Sequence, residues 1–282
     1  MINRVESKSE PPVSRRVALR RMLLGVAGLG VGLPAHGQVP LPLTVFFYSP
    51  ETNVNNYSVL KAEFDTFLAP RGGHQFQPFS DRETFERQVA AKPRGLFLLS
   101  SWHYKQLAGR HPLKPLLVGQ ANGRALQRHR IFSQSANPAD LRSQKIATAG
   151  TRDFARAVLQ EMLPEHPEIP PTLDILVVPK DIDALMAVGF GAARAAIAAE
   201  SSADKLARLN QKQRDTLKPI GKGRESLLPV LAVHRDMADE AKAVARLFAE
   251  MGTSPEGLAR LKLLGLEALH ELDARQEEGL SR

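Results

Sequence analysis

With 282 residues, 43% of them apolar and 24% charged, the chain has room for one large domain or two lobes and the material for a packed core. It contains no cysteine, which excludes disulfides, a thiolate nucleophile and a lipid anchor on an N-terminal cysteine. The formal charge of +8 is partly local: residues 1–37 hold six Lys/Arg and two Asp/Glu, so the remainder keeps +4, which favours anionic partners but falls far below a nucleic-acid-binding charge density.

The first segment reads as an address. Ser14-Arg15-Arg16-Val17-Ala18-Leu19-Arg20 precedes an apolar, glycine-rich stretch from Met22 to about Ala35, the build of a secretory signal. The Arg15-Arg16 pair resembles a twin-arginine signal, although Ala18 stands where that motif usually carries Phe, so the general secretion route stays open. The stretch is short for a membrane span, which needs roughly 20 residues. Small residues in Ala35-His36-Gly37 place the expected cleavage after Gly37, with an uncleaved anchor as the other reading. The expected location is the periplasm.

Leu43 to Phe47 is a short apolar, β-prone run that predicts a buried strand, followed by a polar loop from Tyr48 to Asn56. Tyr57, Leu60, Phe64, Phe67 and Leu68 recur at helical spacing until Arg71-Gly72-Gly73. Gln75-Phe76-Gln77 predicts the next strand. Ser80-Asp81-Arg82-Glu83 has the pattern of a capping box opening a second helix, with Phe85 and Val89 on its inner face. Leu96 to Leu99 predicts a third strand. The pattern then repeats. Strands are expected at Lys145–Thr148, Ile175–Val178 and Arg194–Ala199. Thr151 caps a helix carrying Phe154, Val158, Leu159 and Met162, and Ile182, Leu185 and Met186 mark a short one. A strand from Leu227 to Val233 precedes two helices. The first carries Val244, Leu247, Phe248 and Met251; the second opens on Ser254 as cap with Pro255 at its first position. The charged tail after about Glu271 is expected to fray. Strand–helix alternation of this kind implies an α/β architecture with parallel strands covered by helices.

Three further strings carry a family resemblance. Ser254-Pro255-Glu256-Gly257, with Leu261-Lys262 and Leu264-Gly265-Leu266, resembles the C-terminal helix of phosphate/phosphonate-type solute-binding proteins of ABC transporters. Pro229 to Met237 is similar to the strand and helix start before it, and Asp140-Leu141-Arg142-Ser143-Gln144-Lys145-Ile146-Ala147 to the family's Asp-Leu turn and following strand. The resemblance implies a two-lobed type 2 periplasmic-binding-protein fold, each lobe a mostly parallel sheet flanked by helices, with ligand in the cleft between them. The expected division is 1–37 as export signal, 38–127 with 223–282 as lobe one, and 128–222 as lobe two. It also implies a non-enzymatic role: capture of a small anionic solute, phosphate- or phosphonate-like, by a monomer that presents it to an inner-membrane ABC permease. The alternative is a periplasmic accessory protein of the same fold serving a sensor or an enzyme.

Open α/β sheets bind ligands beyond the C-terminal ends of their strands, so the candidate site residues are taken from the loops there. They are Tyr48 and Ser49 after the first strand; Ser100, Ser101, Trp102, His103 and Tyr104 after the third; Thr148, Gly150, Thr151 and Arg152 in a small-residue loop entering a helix, a natural anion site; and Glu200. In the family, the Ser100–Tyr104 position holds a Gly-Pro-x-Ser-Tyr-like loop, of which only Tyr104, with Ser101 a weaker parallel, is similar, and the Thr148–Asp153 position holds a Ser-Thr-Ser-Gly-type loop absent here. Trp102 and Tyr104 also suit a core plug, Thr151 an ordinary helix cap and Glu200 an exposed helix-start carboxylate. Neither His103 nor Glu200 has a visible catalytic partner. The histidines lack metal-ligand spacing, no cofactor motif is complete, and Gly189-Phe190-Gly191 and His234-Arg235-Asp236 match known motifs by letters only. The basic run Arg124, Arg128, His129 and Arg130 reads as a solvated face, with steering of anions as a minor role. At 6% aromatic residues and with no stacking motif, nucleic acid is not an expected partner.

Overall fold

The computed structural model describes residues 41–52 and 56–281. The expected export signal, its cleavage point and Asn53 and Asn55 lie outside the described residues.

The chain begins with β1 (Thr44–Tyr48), α1 (Tyr57–Leu68), β2 (Gln75–Pro78), α2 (Arg82–Ala90), β3 (Gly95–Leu99) and α3 (Ser101–Ala108). It then runs through β4 (Leu113–Gln120) into β5 (Leu126–Ser133). From there follow β6 (Lys145–Thr148), α4 (Arg152–Met162), β7 (Asp174–Val177), α5 (Asp181–Gly189), β8 (Ala195–Ala199), α6 (Glu200–Leu209) and α7 (Gln211–Thr216). The long β9 (Lys218–Leu227) leads back to β10 (Val230–His234), α8 (Lys242–Glu250), α9 (Pro255–Leu263), β11 (Ala268–Glu271) and α10 (Ala274–Ser281). One sheet has the order β11-β4-β10-β3-β1-β2 and the other β7-β6-β8-β5-β9. These are the two lobes. The divisions expected at 127/128 and 222/223 fall inside β5 and β9, the strands that carry the chain between them.

The sheets are mixed rather than mostly parallel. β1, β2 and β3 pair in parallel, as do β6, β7 and β8, because each is reached through a helix. The strands that cross or return, β4, β5, β9, β10 and β11, pair antiparallel. Sequence patterning missed β4, β5 and β9, whose apolar residues are interrupted by Lys, Arg and Gly, and so read the basic run at Arg124–Arg130 as surface rather than as the start of a central strand. The expected 227–233 strand is two: Leu227 ends β9 and Val230 opens β10.

Each sheet is covered on both faces. In lobe one, α1, α8 and α9 lay Phe64, Phe248 and Leu261 on β1 and β2, with the Phe64 and Phe76 rings stacked 4.2 Å apart. On the other face α2 and α3 bring Phe85, Val89, Tyr104 and Leu107 against Phe97 and Leu99. The tail does not fray: α10 inserts the buried Leu280 into this second cluster. In lobe two, β5 alternates Ile131 toward α4 and Phe132 toward α5 and α6, the period-two geometry of a strand covered on both sides. Caps follow the sequence closely: Asn56, Ser100, Thr151 and Ser254 each accept a hydrogen bond from a first-turn N–H. In the Ser80–Glu83 string it is Asp81, not Ser80, that caps, accepting from Thr84 N at 2.8 Å.

Gly257 shows why the Ser-Pro-Glu-Gly string ends in glycine. A β-carbon there would lie 2.3 Å from the Met251 carbonyl oxygen and 2.7 Å from its Cα, both backbone atoms that cannot move aside. Gly257→Ala is therefore expected to lower stability by about 1–3 kcal/mol, the range of overpacked cores, read as a lower urea midpoint with an unchanged slope.

Candidate functional site

The C-terminal ends of β1 and β3 in lobe one face those of β6 and β8 in lobe two, and the two sides touch. The Pro50 carbonyl, just past β1, accepts a hydrogen bond from Thr151 N, the N-cap residue of α4, at 2.7 Å. Gly150 makes this approach feasible: a β-carbon there would meet Phe154 Cδ1 at 2.6 Å and the Pro50 oxygen at 3.1 Å. Beside it Trp102, on α3 of lobe one, sets its ring edge-on to Phe154 of lobe two, centroids 5.5 Å apart and planes at 87°. His129 on β5 also packs against this phenyl ring, centroids 5.5 Å apart. The strand-end loops thus form an interlobe seam.

Glu51 is the charged group of this seam that sequence reasoning passed over. Its Oε2 accepts from Gln127 Nε2 at 2.6 Å, while Oε1 is buried without a partner among the described residues. Burial pushes the Glu51 carboxyl up from its ordinary value; His129, then the Ser100 hydroxyl and the Gln127 amide, pull it back, and Asp181 raises it again. The available signal was a carboxylate three residues past the end of β1, with Gln127 and His129 on one face of β5, which became legible only once β5 was recognised as a strand.

The remaining candidates separate. Tyr48 is buried against Phe85 and His103, and burial lifts its phenol to about 12, with Arg82 opposing and Tyr57, Asp153 and Asp81 adding to the rise. Ser49 Oγ accepts from Glu51 N at 3.3 Å and holds that turn. Ser100 caps α3 and adjoins Glu51. Thr148 is buried, its Oγ1 accepting from Gly150 N at 3.0 Å. Arg152 is exposed on the first turn of α4. Three candidates point elsewhere. Ser101 donates to the Leu227 carbonyl at 2.5 Å, tying α3 to the end of β9. Tyr104 is a core residue, its hydroxyl directed at the Leu113 carbonyl at 3.4 Å, because helical spacing from Ser100 turns it toward the sheet. His103 is fully buried, Nε2 2.9 Å from Glu86 Oε1. Burial lowers its pKa despite that carboxylate. Although burial opposes it, hydrogen bonds from Arg82, His103 and Arg110 bring Glu86 down to about 2.

Glu200 lies on a different surface. It pairs with Arg130 and lines a cavity of about 550 Å³ beside the strands that link the lobes. Lobe one contributes Asn122, Leu228 and Gln276; lobe two contributes Arg128, Ser201, Lys205 and others. Among the described residues, no group of three or more His, Asp or Glu side chains converges to hold a metal, and no helix is long and apolar enough to cross a membrane.

Because burial raises the folded-state pKa of Glu51, the folded protein holds that proton more tightly than the unfolded chain. Its contribution is most favourable below the ordinary carboxylate range and is lost as pH rises through the raised value. Glu51→Gln cannot ionise, so its stability relative to wild type should increase as pH rises from the ordinary carboxylate range through the raised value in denaturant titrations; a pH-independent difference would contradict the assignment.

Comparison with known proteins places this geometry. The family model described as "ABC transporter, phosphonate, periplasmic substrate-binding protein" matches residues 45–276. No curated protein matches by sequence. Among solved structures, PhnD1 from Prochlorococcus marinus in complex with methylphosphonate superposes with a TM-score of 0.60 at 11% identity, covering 86% of this chain and 98% of that one. A binding protein component of an ABC phosphonate transporter, PA3383 from Pseudomonas aeruginosa, gives 0.59 at 14%, with 84% and 83% covered. XAC2383 from Xanthomonas citri bound to ATP gives 0.61 at 12%, with 84% and 94% covered. At these identities the superpositions establish the shared fold.

Proposed function

Because the chain belongs to the periplasmic substrate-binding proteins of phosphonate ABC transporters, we propose that it works in the periplasm as a monomer that captures a small anionic solute of the phosphonate type between its lobes and delivers it to an inner-membrane permease. The observation that carries this reading is the interlobe seam. Strand-end loops from both lobes are in direct contact through the Pro50–Thr151 hydrogen bond and the Trp102–Phe154 packing, while the chain passes between the lobes only along β4–β5 and β9–β10. Two bodies joined by strands on one side and by a few side-chain contacts on the other can hinge, and a ligand touching both stabilises the closed arrangement. A basic leader with Arg15-Arg16 supports export. A binding rather than catalytic role is supported by the fate of His103, whose one acid partner among the described residues, Glu86, shares the lobe-one side of the fold and whose ring has no exposure.

The test is a ligand panel of phosphate, alkylphosphonates and carboxylates. At a hundredfold excess over Kd a cognate solute adds about 2.7 kcal/mol, or ~5–10 °C in Tm for a chain of this size. Trp102 is the sole tryptophan and sits across the seam, so its emission reports the lobes directly. The expected result is a Tm rise accompanied by a change in tryptophan emission; a panel without either effect overturns the transport reading.

A further inference from the structure

The seam is poorly suited to receive an anion. Thr151 N donates to Pro50 O at 2.7 Å, Gly150 N to Thr148 Oγ1 at 3.0 Å and Ala199 N to Asp181 Oδ2 at 2.7 Å, so these strand-end donors of lobe two already have acceptors within the chain. Glu51 adds a buried carboxylate here, with Oε1 unpartnered among the described residues, and Asp181 adds a second at the end of β8. Of the arginines nearby, Arg82 is engaged by Glu86 and Gln106, leaving the exposed Arg152.

The cavity beside the crossing strands has the opposite character. Arg124, Arg128, Lys205 and Arg208 line it. Two of its three carboxylates are neutralised, Glu200 by Arg130 and Glu225 by Arg128 at 3.3 Å. Among the described residues Arg124, Lys205 and Arg208 make no ion pair, which leaves three uncompensated cations against Asp204 alone. Arg128 points to a missing acceptor: its side chain is half-buried, and its Nε is buried with no hydrogen-bond partner among the described residues. A buried donor left unpaired is costly, and a guanidinium fork matches two oxygens of a phosphoryl or phosphonyl group. The α6 helix begins at this wall with Ala199 as N-cap, so no side chain covers its first-turn N–H groups near Ser201.

We propose that the anionic head of the solute is held in this cavity, by Arg128 with Arg124, Lys205 and Arg208, rather than among the strand-end loops. The proposal rests on the solute-binding reading and specifies where the negative charge goes. Its walls come from both lobes, so a ligand there also bridges them.

The experiment is calorimetric titration of the full-length protein with methylphosphonate and with inorganic phosphate. The Arg124→Ala/Lys205→Ala/Arg208→Ala variant replaces three exposed side chains and should keep its far-UV spectrum and Tm. The expected result is that it loses affinity at least tenfold, that Arg128→Lys, which keeps the charge but removes the Nε donor, also binds more weakly, and that wild-type affinity falls as salt is raised. Wild-type affinity in the triple variant, with binding abolished instead by Gly150→Ala at the seam, overturns the proposal and leaves the solute-binding reading standing. Absence of binding of either probe to the wild type overturns both.

Discussion

The chain crosses between the sheets twice, and the two crossings are bound to each other. Leu126 at the start of β5 pairs with Leu227 at the end of β9, Leu228 N donates to Ala125 O at 2.8 Å and Gly119 N to Pro229 O at 2.8 Å. The Ser101 hydroxyl adds a tie from α3 to Leu227 O. Side-by-side strands sharing hydrogen bonds resist separation but tolerate bending, which restricts relative motion of the lobes to a hinge. A site assembled from both lobes then depends on this junction for its geometry.

Charge is distributed unevenly around that junction. On the strand-end side, backbone donors are satisfied internally, two of them by Thr148 and Asp181, and Glu51 adds a buried carboxylate. Beside the crossing strands, on the other face of β5, cations gather. The alternation of β5 produces the partition: Gln127 and His129 lie on the seam side with Glu51 and Phe154, whereas Arg128 and Arg130 meet Glu225 and Glu200. One strand therefore serves two surfaces of opposite electrostatic character.

What could be read in advance followed from local physics. The buried runs at β1, β3, β6 and β8 and the helix starts at Asn56, Thr151 and Ser254 are decided by residues a few positions apart, and they emerged largely where expected. The crossing strands escaped notice because their stability comes from partners far along the chain: β5 lies between β8 and β9, and its own Arg128 and Arg130 interrupt its apolar pattern. With β5 unrecognised, Gln127 and His129 had no reason to be set beside Glu51. Tyr104 and His103 illustrate the converse. A loop dense in polar aromatic residues resembles a binding surface, yet the helix that Ser100 caps turns both inward.

The amino-acid sequence by itself determined an α/β chain with two sheet-and-helix units and the order of elements of a phosphonate-type solute-binding protein, because periodicity, capping and the Ser-Pro-Glu-Gly and Asp-Leu strings act over short range. Only the tertiary structure decided which strand-end residues meet, that Pro50 rather than an external group receives the Thr151 N–H, and that Arg124, Arg128, Lys205 and Arg208 share one cavity. Those outcomes depend on how two distant crossings pair and on the face each residue of β5 presents, and neither is encoded in any single stretch of chain.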